Sequence, residues 1–249
     1  MNSGHELRIM AGVSFDWKSL PPRVDALDGV PRDIEQLSFR RDGKSHRGIA
    51  EFQNLRRLWA YQVDQDMLDE ISQLANLEVL YINGMTASAL GCLGRLGKLK
   101  RLILHGGTKV EDLDWIAHLP ATLDVLYLER FARVTDIGPV AKLTRLTALG
   151  IEGGMEKHVR IETLESVATL PSLRYLFLAA ADVLTKSLEP LRQLHSLERL
   201  ECTIRFPEQE FLELRRSLPK LNCDWIDMIE EHGSLRAANA AILARIRRR

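Results

Sequence analysis

LANLEVLYING, residues 74–84, places Leu74, Leu77, Leu80 and Ile82 in one apolar set and inserts Tyr81 between the last two. Alternate side chains of an extended chain point to opposite faces, so burial of Leu80 and Ile82 turns Tyr81 the other way. The frame recurs in FQNLRRLWA (52–60), LGKLKRLIL (96–104), LTRLTALGI (143–151), LPSLRYLFL (170–178) and LHSLERLEC (194–202). VPRDIEQLSF (30–39) and LPATLDVLYL (119–128) carry one extra residue. Marked by their third apolar position, the copies fall at Leu37, Leu58, Leu80, Leu102, Leu126, Leu149, Leu176 and Leu200, with steps of 21, 22, 22, 24, 23, 27 and 24 residues.

Between these segments lie apolar triplets spaced by three, including L-x-x-I-x-x-L (68–74), L-x-x-L-x-x-L (90–96) and I-x-x-V-x-x-L (137–143). That spacing predicts a 3₁₀ turn or short helix laid against a strand. Over residues 30–205 the chain thus resembles the leucine-rich-repeat proteins, whose period lies in this range. VTDIGPVAKLTRLTAL (134–149) is especially similar to repeats of the internalins and of the short-repeat regulatory subunit of protein phosphatase one. The resemblance implies an α/β solenoid of about eight repeats, with a parallel sheet on the concave face, short helices on the convex face, and a binding role. One departure stands out. Those families carry an asparagine three residues after the last strand leucine, whereas here the positions are Val63, Met85, Gly107, Phe131, Gly154, Ala181 and Arg205. Backbone amides at these turns must find neighbouring strands or water instead, and the solenoid's curvature does not follow from the resemblance.

A single repeat cannot close a core, but a stack buries a continuous leucine column, and its two ends need covers. Residues 1–29 are expected to form the N-terminal cap, with Val13, Phe15 and Trp17 alternating as in an edge strand until Pro21 and Pro22 break it. Residues 206–249 are expected to close the other end. There Pro207 opens a helix, LNCDWI reads as a last strand, and Ser234 starts a helix presenting Leu235, Ala238, Ile242 and Ile246 on one face.

Composition bounds the partner. Lys plus Arg (34) equals Asp plus Glu (34), so no global charge draws the chain to nucleic acid or an anionic membrane. Neither is expected as a partner. Three cysteines without C-x-x-C spacing, no leader-like N-terminus and no long apolar run point to a cytoplasmic protein without disulfides. Arg outnumbers Lys 25 to 9, which suggests a bacterial source.

Side-chain parity then defines a candidate face. Its middle column is Ser38, Trp59, Tyr81, Ile103, Tyr127, Gly150, Phe177 and Glu201. One flank is Gln36, Arg57, Val79, Arg101, Val125, Ala148, Tyr175 and Arg199; the other is Arg40, Tyr61, Asn83, His105, Glu129, Glu152, Ala179 and Thr203. All 4 tyrosines of the chain fall on this surface. Large amphipathic rings beside arginine dominate interface energies, so the face is expected to bind a protein partner; a structural reading, in which neighbouring rings stack on one another, is the alternative. Arg40, Arg57, Arg101 and His105 lie toward the first repeats and Glu129, Glu152 and Glu201 toward the last, with Arg199 the exception, as would suit a bipolar partner. Self-association through the same face is open but not indicated.

Catalytic patterns are sparse. The seven histidines make no H-E-x-x-H pair, no nucleophile elbow or phosphate loop appears, and no metal or cofactor is expected. His105, Glu129 and Asn83 could neighbour one another on the face as a base held by a carboxylate; Cys92, Cys202 and Cys223 read as inert. The loops 40–48, 105–112 and 152–162 combine glycine with basic residues and read as plain turns. RIRRR at 245–249 reads as cations meeting a helix dipole. A non-catalytic scaffold is the expectation, with a cytosolic inhibitor as one subtype and a cryptic hydrolase or ligase as the remote alternative.

Overall fold

The computed structural model describes residues 4–154 and 157–246, the side chains of 242–246 excepted. Helix α1 (Gly4–Met10) comes first, and eleven strands follow: β1 (Arg23–Val24), β2 (Gln36–Arg40), β3 (Arg57–Tyr61), β4 (Val79–Asn83), β5 (Arg101–His105), β6 (Val125–Glu129), β7 (Ala148–Glu152), β8 (Val159–Ile161), β9 (Tyr175–Leu178), β10 (Ala181–Val183) and β11 (Arg199–Cys202). Nine of them line up in chain order as one parallel sheet, and β8 pairs with β10 in a second, two-stranded one. The marker leucines sit opposite one another from Leu37 to Leu200. A slip of one residue would exchange the leucine row for the aromatic row, so burial fixes the register.

Behind the sheet each apolar triplet turns where its spacing predicts. Helices α2 (Gln65–Ile71) and α3 (Glu165–Ala168) and 3₁₀ turns at 91–95, 114–118, 138–142 and 189–193 bury Leu68, Leu93, Ile116, Val140, Val167 and Leu191 against the strand leucines. Asp64 caps α2 by accepting from the Met67 amide at 3.0 Å.

The missing asparagine column is replaced by apolar side chains. Val63, Met85, Phe131 and Ala181 are all buried there, and the Phe131 ring so fills the next position that a Cβ on Gly107 would stand 2.4 Å from it. The turn amides bond the preceding or following repeat directly: Gln62 N to Asn83 O at 2.8 Å, Gly106 N to Glu129 O at 3.0 Å and Arg130 N to Glu152 O at 2.9 Å. The longest step folds differently from the plain turn expected at 152–162, because Val159 and Ile161 are buried and pair with Ala181 and Val183; Met155 and Glu156 lie outside the described residues.

The ends depart further from expectation. Val13, Phe15 and Trp17 do not form the edge strand, and β1 takes that position after the two prolines. The stretch LNCDWI yields a single bridge from Arg199 to Asn222, because the chain is helical from Asp224 onward. Helices α4 (Glu208–Ser217), α5 (Asp224–His232) and α6 (Leu235–Ile246) follow the last repeat, α4 packing on the turn at 189–193 and α5 on both neighbours. The Trp225 indole donates to the Cys202 carbonyl at 2.9 Å, satisfying the open edge of β11. Ser234 caps α6 through the Ala237 amide, and Leu235 and Ala238 face the core, whereas the side chains of Ile242 and Ile246 lie outside the described residues, as do Arg247, Arg248 and Arg249.

Candidate functional site

The outward columns stand on the concave side as parity requires, with all 4 tyrosines among them. Exposure is another matter. Trp59, Tyr81, Ile103, Tyr127, Tyr175 and Phe177 form a second apolar cluster, separated from the repeat core by the sheet, and each is at most 9% exposed. The expected open aromatic surface is therefore covered, and what covers it is the chain's own N-terminal segment.

The segment reaches the face by a simple device. Gly12 sits in the left-handed region (φ +77°) and ends α1, with Gly12 N bonded to Ile9 O at 3.0 Å and Val13 N to Arg8 O at 3.0 Å. A Cβ at Gly12 would lie 3.2 Å from Val125 and 3.3 Å from Arg101, so the turn rests directly on the sheet. On either side of it Ala11 and Val13 are buried in the cluster. The Phe15 ring meets Trp59 and Tyr81 edge-on at 5.4 and 5.6 Å, and Trp17 meets Tyr81 at 5.4 Å. Alternation at 13–17 thus records contact with a flat apolar surface; an edge strand would show the same pattern.

Charge fixes the other end of the segment. Arg8 places Nη2 2.6 Å from Glu152 and 2.7 Å from Glu201, Nη1 3.2 Å from the Tyr127 hydroxyl, and its guanidinium 4.8 Å above the Phe177 ring. Burial works against the charge on Arg8, but the Glu152 bond and the two carboxylates outweigh it and hold its pKa above the ordinary value. Tyr127 also donates to Glu152; burial first, then the neighbouring carboxylate, pushes its pKa upward. Arg199 reaches Glu201 at 3.5 Å and Asp224 at 2.7 Å.

The acidic half of the face is therefore neutralised internally, contrary to the bipolar expectation. Arg40, Arg57, Asn83 and Arg101 remain exposed at the basic half. His105 pairs with Glu129 and its ring lies between Tyr81 (5.1 Å) and Tyr127 (5.4 Å). Asn83 does not join that pair but donates to the Tyr81 hydroxyl at 2.9 Å, so the three do not assemble as a relay. The Cys92 thiol is pushed up to about 11, chiefly by burial, and Cys202 is pushed up by its bond to Cys223 and by burial. Neither presents a ready thiolate. Among the described residues no cluster of three His, Cys, Asp or Glu could hold a metal, and no helix is long and apolar enough to cross a membrane.

Sequence reasoning missed Arg8, Ala11 and Gly12. The available signal was an apolar alternation at 13–17 that the sheet could not fully absorb, preceded by one arginine while two glutamates waited on the face.

A parallel sheet built from one strand per repeat, backed by short helices, defines a repeat solenoid with a covered concave face. The chain belongs to the leucine-rich-repeat family: the profile described as a leucine-rich repeat region matches residues 6–222. No curated protein matches it. Among solved structures, an internalin C2 of Listeria monocytogenes is 22% identical, covering 71% of this chain and 73% of that one with a TM-score of 0.53, which shows the shared fold. An internalin (inlF) of the same organism matches at 19% identity, with 81% and 70% covered and a TM-score of 0.42. A leucine-rich-repeat protein of Leptospira interrogans matches at 18%, with 77% and 59% covered and a TM-score of 0.41. Proteins of this family commonly serve as protein-interaction scaffolds.

Proposed function

We propose that this chain is a non-catalytic scaffold that binds a protein partner on its concave face, residues 4–20 leaving the face as the partner arrives. The observation that carries the reading is the separate apolar cluster on the concave side, from Trp59 to Phe177. The repeat core closes without it, so its rings are not needed to fill the solenoid. Tyr61, Tyr81, Tyr127, Tyr175, Trp59, Ile103 and Phe177 supply apolar contact in this reading, while Arg40, Arg57, Asn83 and Arg101 form an open rim. His105, Glu129, Glu152, Arg199 and Glu201 set the charge. Such a scaffold acts by occluding or recruiting what it binds, and a cytoplasmic inhibitor is one form this would take.

The test is capture from native lysate with three full-length proteins: wild type, Arg8→Glu, and Arg8→Glu combined with Tyr81→Ala and Phe177→Ala. A partner enriched by the single variant and lost from the triple variant supports the reading; equal capture by all three overturns it. The part-buried Arg8 network favours a second reading, in which the face is only a seat for the segment and serves stability. That reading expects Arg8→Glu to lower the melting temperature and capture nothing.

A further inference from the structure

The segment on the concave face has the properties of a bound peptide. None of the residues of α1 is buried, and the backbone bonds of Ala11, Gly12, Val13, Ser14 and Ser19 all close within the segment without reaching the sheet. Its hold on the array is made by side chains: Arg8 at one end, Ala11 and Val13 in the middle, Phe15 and Trp17 at the other. Trp17 remains 45% exposed. The fit is also incomplete. Trp59 is 3% exposed, yet among the described residues its indole Nε1 has no hydrogen-bond partner, a loss that a better-fitting occupant would relieve by offering an oxygen there.

From this we infer the chemistry of the partner, building on the scaffold reading above: the concave face recognises a protein segment with an arginine followed, five to nine residues on, by an aliphatic and then aromatic side chains, and residues 8–17 are a tethered imitation of it. Two features of the face demand this. Glu152 and Glu201 point at one spot and are mostly buried, so any replacement for Arg8 must bring a cation; the paired oxygens of Glu152 and the Phe177 ring favour a planar guanidinium over an ammonium. Trp59 and Tyr81 meanwhile present ring edges and faces on β3 and β4, about 20 Å away across the strands between, where apolar and aromatic side chains fit and a single acceptor has a waiting partner in Trp59 Nε1. The order is fixed as well. The arginine docks at the C-terminal repeats and the aromatics at the N-terminal ones, so the guest runs against the direction of the array.

A tethered imitation competes with a free peptide at an effective concentration of about 1 mM, so the wild-type chain should bind a free copy poorly. The test uses a fluorescent peptide of residues 4–20 and full-length protein, read by anisotropy, with folding checked by circular dichroism. Arg8→Glu protein, whose own segment is repelled by Glu152 and Glu201, is expected to bind the peptide at least tenfold more tightly than wild type. A peptide carrying Arg8→Glu is expected to bind that protein at least tenfold more weakly. Should the Arg8→Glu protein fail to fold, Phe15→Ala with Trp17→Ala loosens the segment without changing charge and gives the same comparison. Absence of binding to a folded, loosened variant overturns the inference, as does equal binding of both peptides or equal binding to wild type. If a lysate partner is still captured when the peptide fails, the scaffold reading survives and only the assigned guest chemistry falls.

Discussion

Arg8 and Glu152 lie 144 residues apart, yet Arg8 Nη1 and Nη2 stand 3.1 and 2.6 Å from the two oxygens of one carboxylate. This fork-to-fork contact is the strongest geometric link between the N-terminal segment and the array. With side chains 24% and 8% exposed, the pair is largely withdrawn from water.

Removing one partner should therefore leave a stranded charge. Arg8→Ala is expected to destabilise docking of the segment by about 3 kcal/mol, the usual cost of breaking a buried pair. Hydrogen exchange of residues 4–20 should accelerate by about a hundredfold while the amides of β4 to β6 keep their protection. Unchanged exchange in the segment would show that Arg8 does not anchor it.

The repeat core and the cover should respond differently to truncation. Leu102 is fully buried, and Leu102→Ala is expected to cost about 3 kcal/mol of global stability by transfer and cavity terms. Trp17 is half exposed with two edge-on ring contacts, so Trp17→Ala should cost only about 1 kcal/mol. Urea unfolding of the two variants measures the difference.

Gly150 faces Tyr127 in the middle column, and a Cβ there would sit 2.2 Å from the ring. The ring cannot swing freely, because its hydroxyl is bonded to Glu152 and His105 lies 5.4 Å from it. Gly150→Ala is expected to cost about 1–3 kcal/mol and to weaken docking of residues 4–20, a loss that calorimetry and hydrogen exchange would register together.

Alkaline titration should report the cover directly. Burial pushes the Tyr81 phenol from 10.0 up to about 12, with the Asn83 bond opposing it, and Tyr127 is also raised. A phenol that ionises more easily unfolded than folded favours the native state below pH 10, and that stability is lost as pH rises from about 10 to about 12. Tyrosinate absorbance should show at least two late-titrating rings, and Arg8→Glu, by opening the face, should bring Tyr81 back toward 10.0.

Glu78, immediately before β4, makes a contrasting case. Hydrogen bonds from Lys100 and Arg56 hold its carboxyl down to about 2. Its stabilising contribution is present above 4.5 and disappears as pH falls from there toward about 2. Lys100→Ala with Arg56→Ala should return the group to the ordinary carboxylate range in a carbon-detected titration.

The leucine frame made the sheet legible from residues alone, because burial of Leu80 and Ile82 leaves Tyr81 a single direction. Strand pairing in chain order and the convex turns followed from the same spacing. The cover was not legible. Val13, Phe15 and Trp17 alternate identically whether one side of them meets a neighbouring strand or an aromatic surface, and the choice is made by contacts with Trp59 and Tyr81 far along the chain. Arg8 was equally silent, since nothing local distinguishes a solvated arginine from one that will meet Glu152 and Glu201. At the other end Trp225 looked like a strand residue, but its indole serves β11 best from a helix. Helical fold and strand-like composition conflict there, and the helix buries Ile226 and Ile229 while its Trp225 bonds the Cys202 carbonyl.

Among the described residues one joint carries a second row of strand bonds: between β7 and β9, where the main sheet pairs over Ala148–Gly150, a further row runs through β8 and β10. Two parallel seams resist bending and twisting where one permits both, so this joint is the stiff vertebra of the spine. Fraying that starts at the first repeats under mild denaturant or mechanical load should travel strand by strand and halt there, leaving the last repeats and their three closing helices as the final piece to come apart.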